Sequence, residues 1–342
     1  MRQTYSFDDV LLVPKYSNIR SRSEVSLETR LGKFEFLLPV ISSPMDTITE
    51  SAMAAAMNKA GGLGIIHRYN SIEDQSAEVY LAYTSGAKSV GAAIGMTGDY
   101  LERATAAVDC GANILCVDVA HGHHFVMEEC LGSLKSKFAT TGVHIMAGNV
   151  ATLEAFDALS SMGADSVRVG IGGGSICSTR IVTGHGVPTL QSIFDCAQTK
   201  NTGTKIIADG GIKTTGDMVK ALAAGADFVM VGSMLAGTSE TPGQLFTRAN
   251  GKQYKVYRGM ASHAAQTSWR GKSSTPEGVS TTVPFKGDAD YSLRDIDGGL
   301  RSGLSYSGAR NIKEFQEQAE FVLQTGAGQN ESSTHILRRS EQ

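Results

Sequence analysis

The chain has 342 residues, with 31 Lys and Arg against 34 Asp and Glu, and 41% of it is hydrophobic. The formal net charge of −3 argues against a broad electrostatic hold on nucleic acid or an anionic membrane, and the apolar content is too high for a disordered chain. No apolar run approaches the roughly 20 residues of a bilayer span, and the opening MRQTYSFDDVLLVPKYSN lacks a charged-then-apolar leader, so the expected compartment is the cytoplasm, with neither nucleic acid nor membrane as partner.

In chain order, eight short runs rich in β-branched residues stand out. They are Pro39–Asp46, Gly62–His67, Val90–Gly95, Ile114–Ala120, His144–Val150, Ser166–Ile171, Lys205–Gly211 and Phe228–Met234. The runs are nearly continuous rather than alternating, as parallel strands covered on both faces require. Helix-length segments lie between most of them, among them Glu50–Lys59, Tyr100–Asp109, Leu153–Met162 and Met218–Ala224. Gly111-Ala112-Asn113, Gly163-Ala164-Asp165 and Gly225-Ala226-Asp227 each close a helix and open a strand, with glycine suited to the left-handed position after a helix. Strand and helix alternating eight times predict an α/β chain folded as a single (β/α)8 TIM barrel over residues 1–342; a doubly wound sheet fits the count less well.

From about 240 to 310 the rhythm breaks. Gly271–Pro276 and the polar stretch Ser280–Phe285 read as a long, structureless insertion, a flap at about 251–290 after the last strand. The tail after Thr325 reads as extended.

Chemistry in such a barrel sits at the carboxyl ends of the strands. Those ends hold Ser43 to Asp46, His67-Arg68-Tyr69, Asp118 with His121, Asn149, Gly170 to Arg180, Asp209-Gly210-Gly211 and Gly232-Ser233. The densest stretch, Gly170 to Arg180, can bring backbone N–H groups close to an anion, with Ser175 adding a hydroxyl. The loops after the last two strands are the usual barrel phosphate site, and Asp209 could hold two ribose hydroxyls. The cysteine count is odd, at 5, and no CxxC pair occurs, so disulfides are not expected. Cys110, Cys116, Cys130 and Cys196 fall in or beside apolar periodic segments. Cys177 falls among glycines and hydroxyls and is the candidate nucleophile. His121, His123 and His124 lack an acidic or cysteine partner cluster for zinc and are placed beside Asp118 in a cofactor pocket. Trp269 and Arg270 fall in the flap, where Arg270 could enter a closed site and activate water.

These residues make the sequence resemble the IMP dehydrogenase / GMP reductase family over nearly its whole length. The resemblance rests on SSPMDT (Ser42–Thr47), GNVAT (Gly148–Thr152), GGGSICSTR (Gly172–Arg180), ADGGI (Ala208–Ile212), VGSMLAGT (Val231–Thr238), YRGM (Tyr257–Met260) and GGLRSG (Gly298–Gly303). It implies an NAD- or NADP-dependent oxidoreductase acting at C2 of a purine nucleoside 5′-monophosphate through a covalent bond to Cys177, with Thr179 assisting proton transfer. It assigns Ser43 and Met45 to the base and sugar, and Gly174, Ser175, Gly211, Gly232, Ser233 and Tyr257 to the phosphate. Asp209 is assigned to the ribose, and Gly259, Met260 and Glu277 to the edge of the base. Asp118, Asn149, Arg168 and Gly170 are assigned to the nicotinamide cofactor, and Gly172, Gly174, Cys177 and Glu331 to potassium, the last from a neighbouring copy in a homotetramer or octamer.

Two activities share such a site. SSPMDT, YRGM, TGHGVP (Thr183–Pro188) and the tail around Glu331 are similar to the dehydrogenase, which turns IMP into XMP. The reductase, which turns GMP into IMP with loss of ammonia, is the alternative. The CBS pair common in the dehydrogenase is missing, since only Val79–Ser89 is expected to join the second helix to the third strand. Trp269-Arg270 stands where the dehydrogenase carries an Arg-Tyr pair.

Overall fold

The computed structural model describes residues 1–332 and 334. Eight parallel strands close into a barrel: β1 (Val40–Ser42), β2 (Leu63–Ile66), β3 (Gly91–Ile94), β4 (Ile114–Asp118), β5 (His144–Val150), β6 (Ser166–Val169), β7 (Lys205–Asp209) and β8 (Phe228–Val231). The seam is β8 on β1, with Val229 opposite Val40 and Val231 opposite Ser42. Each predicted run contains its strand, and the residues at the run's end that overshoot the strand form the loops of the site. The outer helices are α1 (Ser51–Lys59), α2 (Ile72–Thr84), α3 (Tyr100–Asp109), α4 (Phe125–Lys137), α5 (Leu153–Ser161), α6 (Thr189–Cys196), α7 (Thr215–Ala223) and α8 (Ala289–Tyr306).

Local chemistry sets the helix limits. Ser71, Thr152 and Thr214 accept hydrogen bonds from the third residue of α2, α5 and α7, filling donors a helix start leaves open. Gly111, Gly163 and Gly225 take φ of 112°, 98° and 114°, a region in which other residues are strained. Side chains from alternating strand positions fill the barrel, among them Ile41, Ile65, Met146, Ile207 and Phe228. A hairpin of Thr29–Leu31 and Phe34–Phe36 adds Leu31 and Phe36 to this interior, Phe36 meeting Phe228 edge to face at 5.5 Å. A second, larger apolar layer packs strands against helices. Among the described residues no helix is long and apolar enough to cross a membrane.

Three expectations are corrected. α2 runs to Thr84, so the joint to β3 is shorter than Val79–Ser89. The segment from 240 to 310 is ordered: Gln253–Arg258 pairs antiparallel with Phe246–Thr247 and Ser280–Pro284, His263–Arg270 is a helix, and Ala289–Tyr306 is the eighth barrel helix. The tail after Thr325 is not wholly extended: Gly326–Glu331 is a short helix started by the Thr325 hydroxyl, and just before it Phe321–Leu323 pairs with Val10–Leu12.

Candidate active site

A cavity of about 770 Å³ opens at the carboxyl ends of the strands, within the ~300–1,000 Å³ usual for small-molecule sites. Every residue that the resemblance assigned to catalysis, nucleotide, cofactor or potassium lines it except Glu331, and so does Arg270. The histidines do not line it either. His124 instead caps α4, its Nδ1 accepting the Val126 N–H at 3.2 Å, and His121 meets His123 edge to face at 6.5 Å.

Cys177 stands between β6 and a short helix, Thr179–Thr183, that the glycine-rich stretch concealed. Its thiol donates to Thr179 Oγ1 at 3.2 Å, and the Thr179 hydroxyl donates to Glu277 Oε2 at 2.8 Å. The carboxylate comes from a residue far away in sequence, and backbone bonds fix it there. Ser178 N–H donates to the Glu277 carbonyl at 2.9 Å, Glu277 N–H to the Ala261 carbonyl at 3.0 Å, and Val279 N–H to the Ile176 carbonyl at 3.0 Å. A thiol, a hydroxyl and a carboxylate in series form a proton path away from a nucleophile. Burial pushes the thiols of Cys116, Cys130 and Cys196 up to about 12, which leaves them without thiolate character; Cys177 is only partly buried.

The glycines let three loops meet. A Cβ on Gly170 would lie 1.8 Å from the Asp209 carbonyl oxygen, and one on Gly210 3.1 Å from the Gly174 nitrogen. A Cβ on Gly232 would lie 3.2 Å from Met45 Sδ, 3.3 Å from the Tyr257 hydroxyl and 3.5 Å from Ser43 Oγ. Ser175 Oγ and the Tyr257 hydroxyl are 3.2 Å apart. Burial raises the Tyr257 pKa, so this hydroxyl stays a neutral donor beside backbone amides, a fitting lining for a phosphate.

A row of alternating charges crosses the cavity floor. Arg168, 6% exposed, donates to Asp118 Oδ1 and, at 2.8 Å, to Asp209 Oδ2. Burial pulls the Arg168 pKa down, but the carboxylates of Asp209 and Asp118, with the Cys116 sulfur, outweigh it and hold the pKa above its ordinary value. Asn149 Nδ2 donates to Asp209 Oδ2 and to the Gly170 carbonyl, both at 2.8 Å. Arg168 and Gly170 were assigned to the cofactor; here the Arg168 guanidinium binds two carboxylates, and the Gly170 carbonyl accepts from Asn149. Both contacts fall on Oδ2, and among the described residues the other Asp209 oxygen has no hydrogen-bond partner, as a ribose hydroxyl would need.

The flap closes one side. Arg258 Nε donates to Asp46 Oδ2 at 2.9 Å, and Met260 Sδ accepts the Asp46 N–H at 3.3 Å. These anchors tie the flap to the loop after β1. Asp46 and Arg258 lie inside the motifs SSPMDT and YRGM, yet sequence reasoning assigned neither a role. Trp269 stacks on Tyr69 with ring centroids 6.0 Å apart. Arg270 is thus the last residue of a docked helix, ended by left-handed Gly271 at φ 68°, rather than part of a loose loop.

The potassium set does not assemble within one chain. Gly172, Gly174 and Cys177 share a loop, where the Gly174 carbonyl accepts the Cys177 N–H at 3.1 Å and the Arg180 side chain lies against Gly172. Glu331 is exposed at the end of its short helix, which packs near Phe7–Asp9. Among the described residues no three His, Cys, Asp or Glu side chains cluster as metal ligands.

A family model described as IMP dehydrogenase / GMP reductase domain matches residues 4–335. The chain is 35% identical to an inosine-5′-monophosphate dehydrogenase of Nitrosopumilus maritimus (strain SCM1), with 98% of each covered. That alignment runs over 472 positions, more than the 342 residues here, so the relative carries inserted segments that this chain lacks. A GMP reductase of Leishmania major is 34% identical, with 98% of this chain and 97% of the relative covered. The crystal structure of a GMP reductase variant from Trypanosoma brucei in complex with guanosine 5′-monophosphate matches with a TM-score of 0.93 at 32% identity, covering 98% of both chains.

Proposed function

The chain belongs to the IMP dehydrogenase / GMP reductase family, whose members are NAD(P)-dependent oxidoreductases, and from that premise we propose that it oxidises IMP at C2 and hydrolyses the product to XMP. The series Cys177–Thr179–Glu277 carries the chemistry at C2, and the motifs SSPMDT, YRGM and TGHGVP favour IMP as the substrate. IMP would lie with its phosphate at Gly174, Ser175, Gly211, Gly232, Ser233 and Tyr257, its ribose on Asp209, and its base between Met45, Gly259, Met260 and Glu277. Asp118 and Asn149 stand where a nicotinamide would meet the base, and the cavity has room for both ligands. Held there, a nicotinamide dinucleotide would supply the hydride acceptor for C2.

The protein's own part is covalent and acid–base chemistry. Cys177 Sγ bonds to C2 as the C2–N3 double bond gives its electron pair to N3, and the thiol proton passes through Thr179 to Glu277. Once hydride has left, C2 is bonded to sulfur and double-bonded to ring nitrogen. Glu277 gives the first proton up to solvent; water then adds to C2, its proton passing through Thr179 to Glu277, and the C–S bond breaks as the departing sulfur takes that proton back. The sum is IMP, NAD and water to XMP, NADH and a proton.

GMP reduction is the second reading, favoured by the same series: a Glu277–Thr179 path can equally protonate an amine leaving C2 as ammonia. Incubation with IMP and NAD, and separately with GMP and NADPH, decides between them. Reduced cofactor accumulates in the first mixture under the leading reading and is consumed in the second under the alternative. Potassium and a homotetramer belong to the same proposal, with Glu331 of one copy serving the Gly172 loop of another. Light scattering and the dependence of turnover on potassium test that part.

A further inference from the structure

The carboxylate of the proton path sits on a segment with little to hold it. Gly271 to Glu277 reads GKSSTPE. Pro276 is its only apolar side chain, and all of it but Ser273 and Glu277 is exposed. Burial of apolar area therefore adds almost nothing to its order, and hydrogen bonds have to hold it. Backbone bonds secure its two ends: the Gly271 N–H donates to the Thr267 carbonyl and the Glu277 N–H to the Ala261 carbonyl, both at 3.0 Å. Between those ends the anchor is one side chain, Gln266 of the flap helix, 6% exposed. Its Oε1 accepts the Ser274 N–H at 2.9 Å, with the hydroxyls of Ser274 and Ser273 at 3.2 and 3.3 Å. Its Nε2 donates to the Ala261 carbonyl at 3.0 Å, the same carbonyl that receives the Glu277 N–H. Only one orientation of the amide serves both sides, because a backbone N–H donates and a carbonyl accepts. Gln266 stands in the cavity wall, but these bonds turn to the flap itself, and the chemistry at C2 gives it no part.

We propose that Gln266 is a positioning residue, which holds the Glu277 carboxylate against the Thr179 hydroxyl by clasping the loop before Glu277 and the carbonyl that binds Glu277. This rests on the reading of Glu277 as the proton acceptor. The Thr179 to Glu277 bond is 2.8 Å long, and a displacement of about 1 Å in such an arrangement costs up to about 10²-fold in rate. Gln266 thus acts on the rate of the chemistry rather than on the hold on the nucleotide.

Gln266→Met keeps the length and shape of the side chain and removes its hydrogen bonds. It strands no buried group, because the Ala261 carbonyl still accepts the Glu277 N–H and the exposed Ser274 turns to water, so the full-length protein should fold. The experiment measures kcat and nucleotide affinity for Gln266→Met, Glu277→Gln and the double variant, with IMP and NAD or with GMP and NADPH, whichever pair turns over. Gln266→Met should lower kcat by about tenfold or more, with affinity within about threefold of the parent. In the Glu277→Gln background the same change should cost nothing further, since no carboxylate is left to misplace. A loss of equal size in both backgrounds, or a loss of affinity that matches the loss of kcat, would overturn the proposal and leave Gln266 as a brace for the flap alone. Hydrogen exchange followed by mass spectrometry reads the clasp without turnover: the peptide spanning Gly271 to Glu277 should exchange faster in Gln266→Met, and unchanged exchange would also overturn it. A Glu277→Gln enzyme as fast as the parent would instead count against the proton path, while faster exchange in Gln266→Met would leave the hold on the Glu277 loop standing.

Discussion

Thr179 touches a thiol on one side and a carboxylate on the other, at 3.2 and 2.8 Å, so removing its hydroxyl should break the proton path and little else. Thr179→Val and Glu277→Gln are expected to lower kcat by about 10²–10⁴-fold while nucleotide affinity changes far less. Thr179→Ser should restore most of the rate, and equal losses in kcat and binding would show that the pair only holds the loop. Cys177→Ala should abolish turnover and the nucleotide adduct detectable by mass spectrometry. Arg168 works differently, because it reaches ligands only through Asp118 and Asp209. Arg168→Met leaves two carboxylates facing each other in a buried site, a loss of the order of 3–5 kcal/mol when one partner of a buried pair is removed. Chemical denaturation should register that loss, and KM should rise for nucleotide and cofactor together. A rise in one KM alone would disprove the idea that a single strut orients both subsites.

At the scale of strand ends and loops, the glycines that follow β6 and β8 make opposite demands. Gly170 has φ 144° and no space, since a Cβ would overlap the Asp209 carbonyl. Gly232 has an ordinary backbone, and an added methyl would only crowd Met45, Tyr257 and Ser43 by tenths of an ångström. Gly232→Ala should therefore fold with little change in Tm yet weaken nucleotide monophosphate binding by about tenfold, since the methyl occupies the phosphate cradle. Calorimetry with IMP measures it, and unchanged affinity would move the phosphate elsewhere. The same glycines made the site readable: they sit at the ends of apolar runs, and parallel strands buried on both faces announce themselves by composition. The flap strands did not. In Gln253–Arg258 the inward residues are Lys255 and Tyr257, while Val256 points out. Lys255 is buried because Nζ donates to the Ser239 carbonyl at 3.1 Å and to that of Thr241, a solution that a polar/apolar pattern cannot foretell. The pairing of Val10–Leu12 with Phe321–Leu323 was equally hidden, because it joins the two ends of the sequence. Arg270 could be suspected from its residue type alone, but its place in the cavity wall goes with the stacking of Trp269 on Tyr69, a contact between residues 200 positions apart.

Across the whole molecule the barrel divides labour between its ends: ligand chemistry at the carboxyl end, stability at the other. His144 opens β5 at the stability end, 3% exposed, with Nε2 2.8 Å from Ser166 Oγ. Burial lowers its pKa from 6.5 to about 4; Asp165 opposes the shift and Lys135 adds to it. The folded chain thus keeps this imidazole neutral at pH values where the unfolded chain protonates it. A depressed histidine pKa means that the unfolded state binds the extra proton, so stability is greatest above pH 6.5 and falls as the pH drops towards about 4. The loss from this one group is of the order of 3 kcal/mol when complete, enough to lower Tm by several degrees in a chain of this size. His144→Gln, which can still bond Ser166 but does not titrate, should flatten the Tm profile between pH 6.5 and 4.5 relative to the parent, and a slope as steep as the parent's would assign acid sensitivity to another group. Because this histidine lies at the opposite end from Cys177, the substitution should leave the pH dependence of turnover where it was, and the two profiles together separate protonation that loosens the barrel from protonation that stops its chemistry.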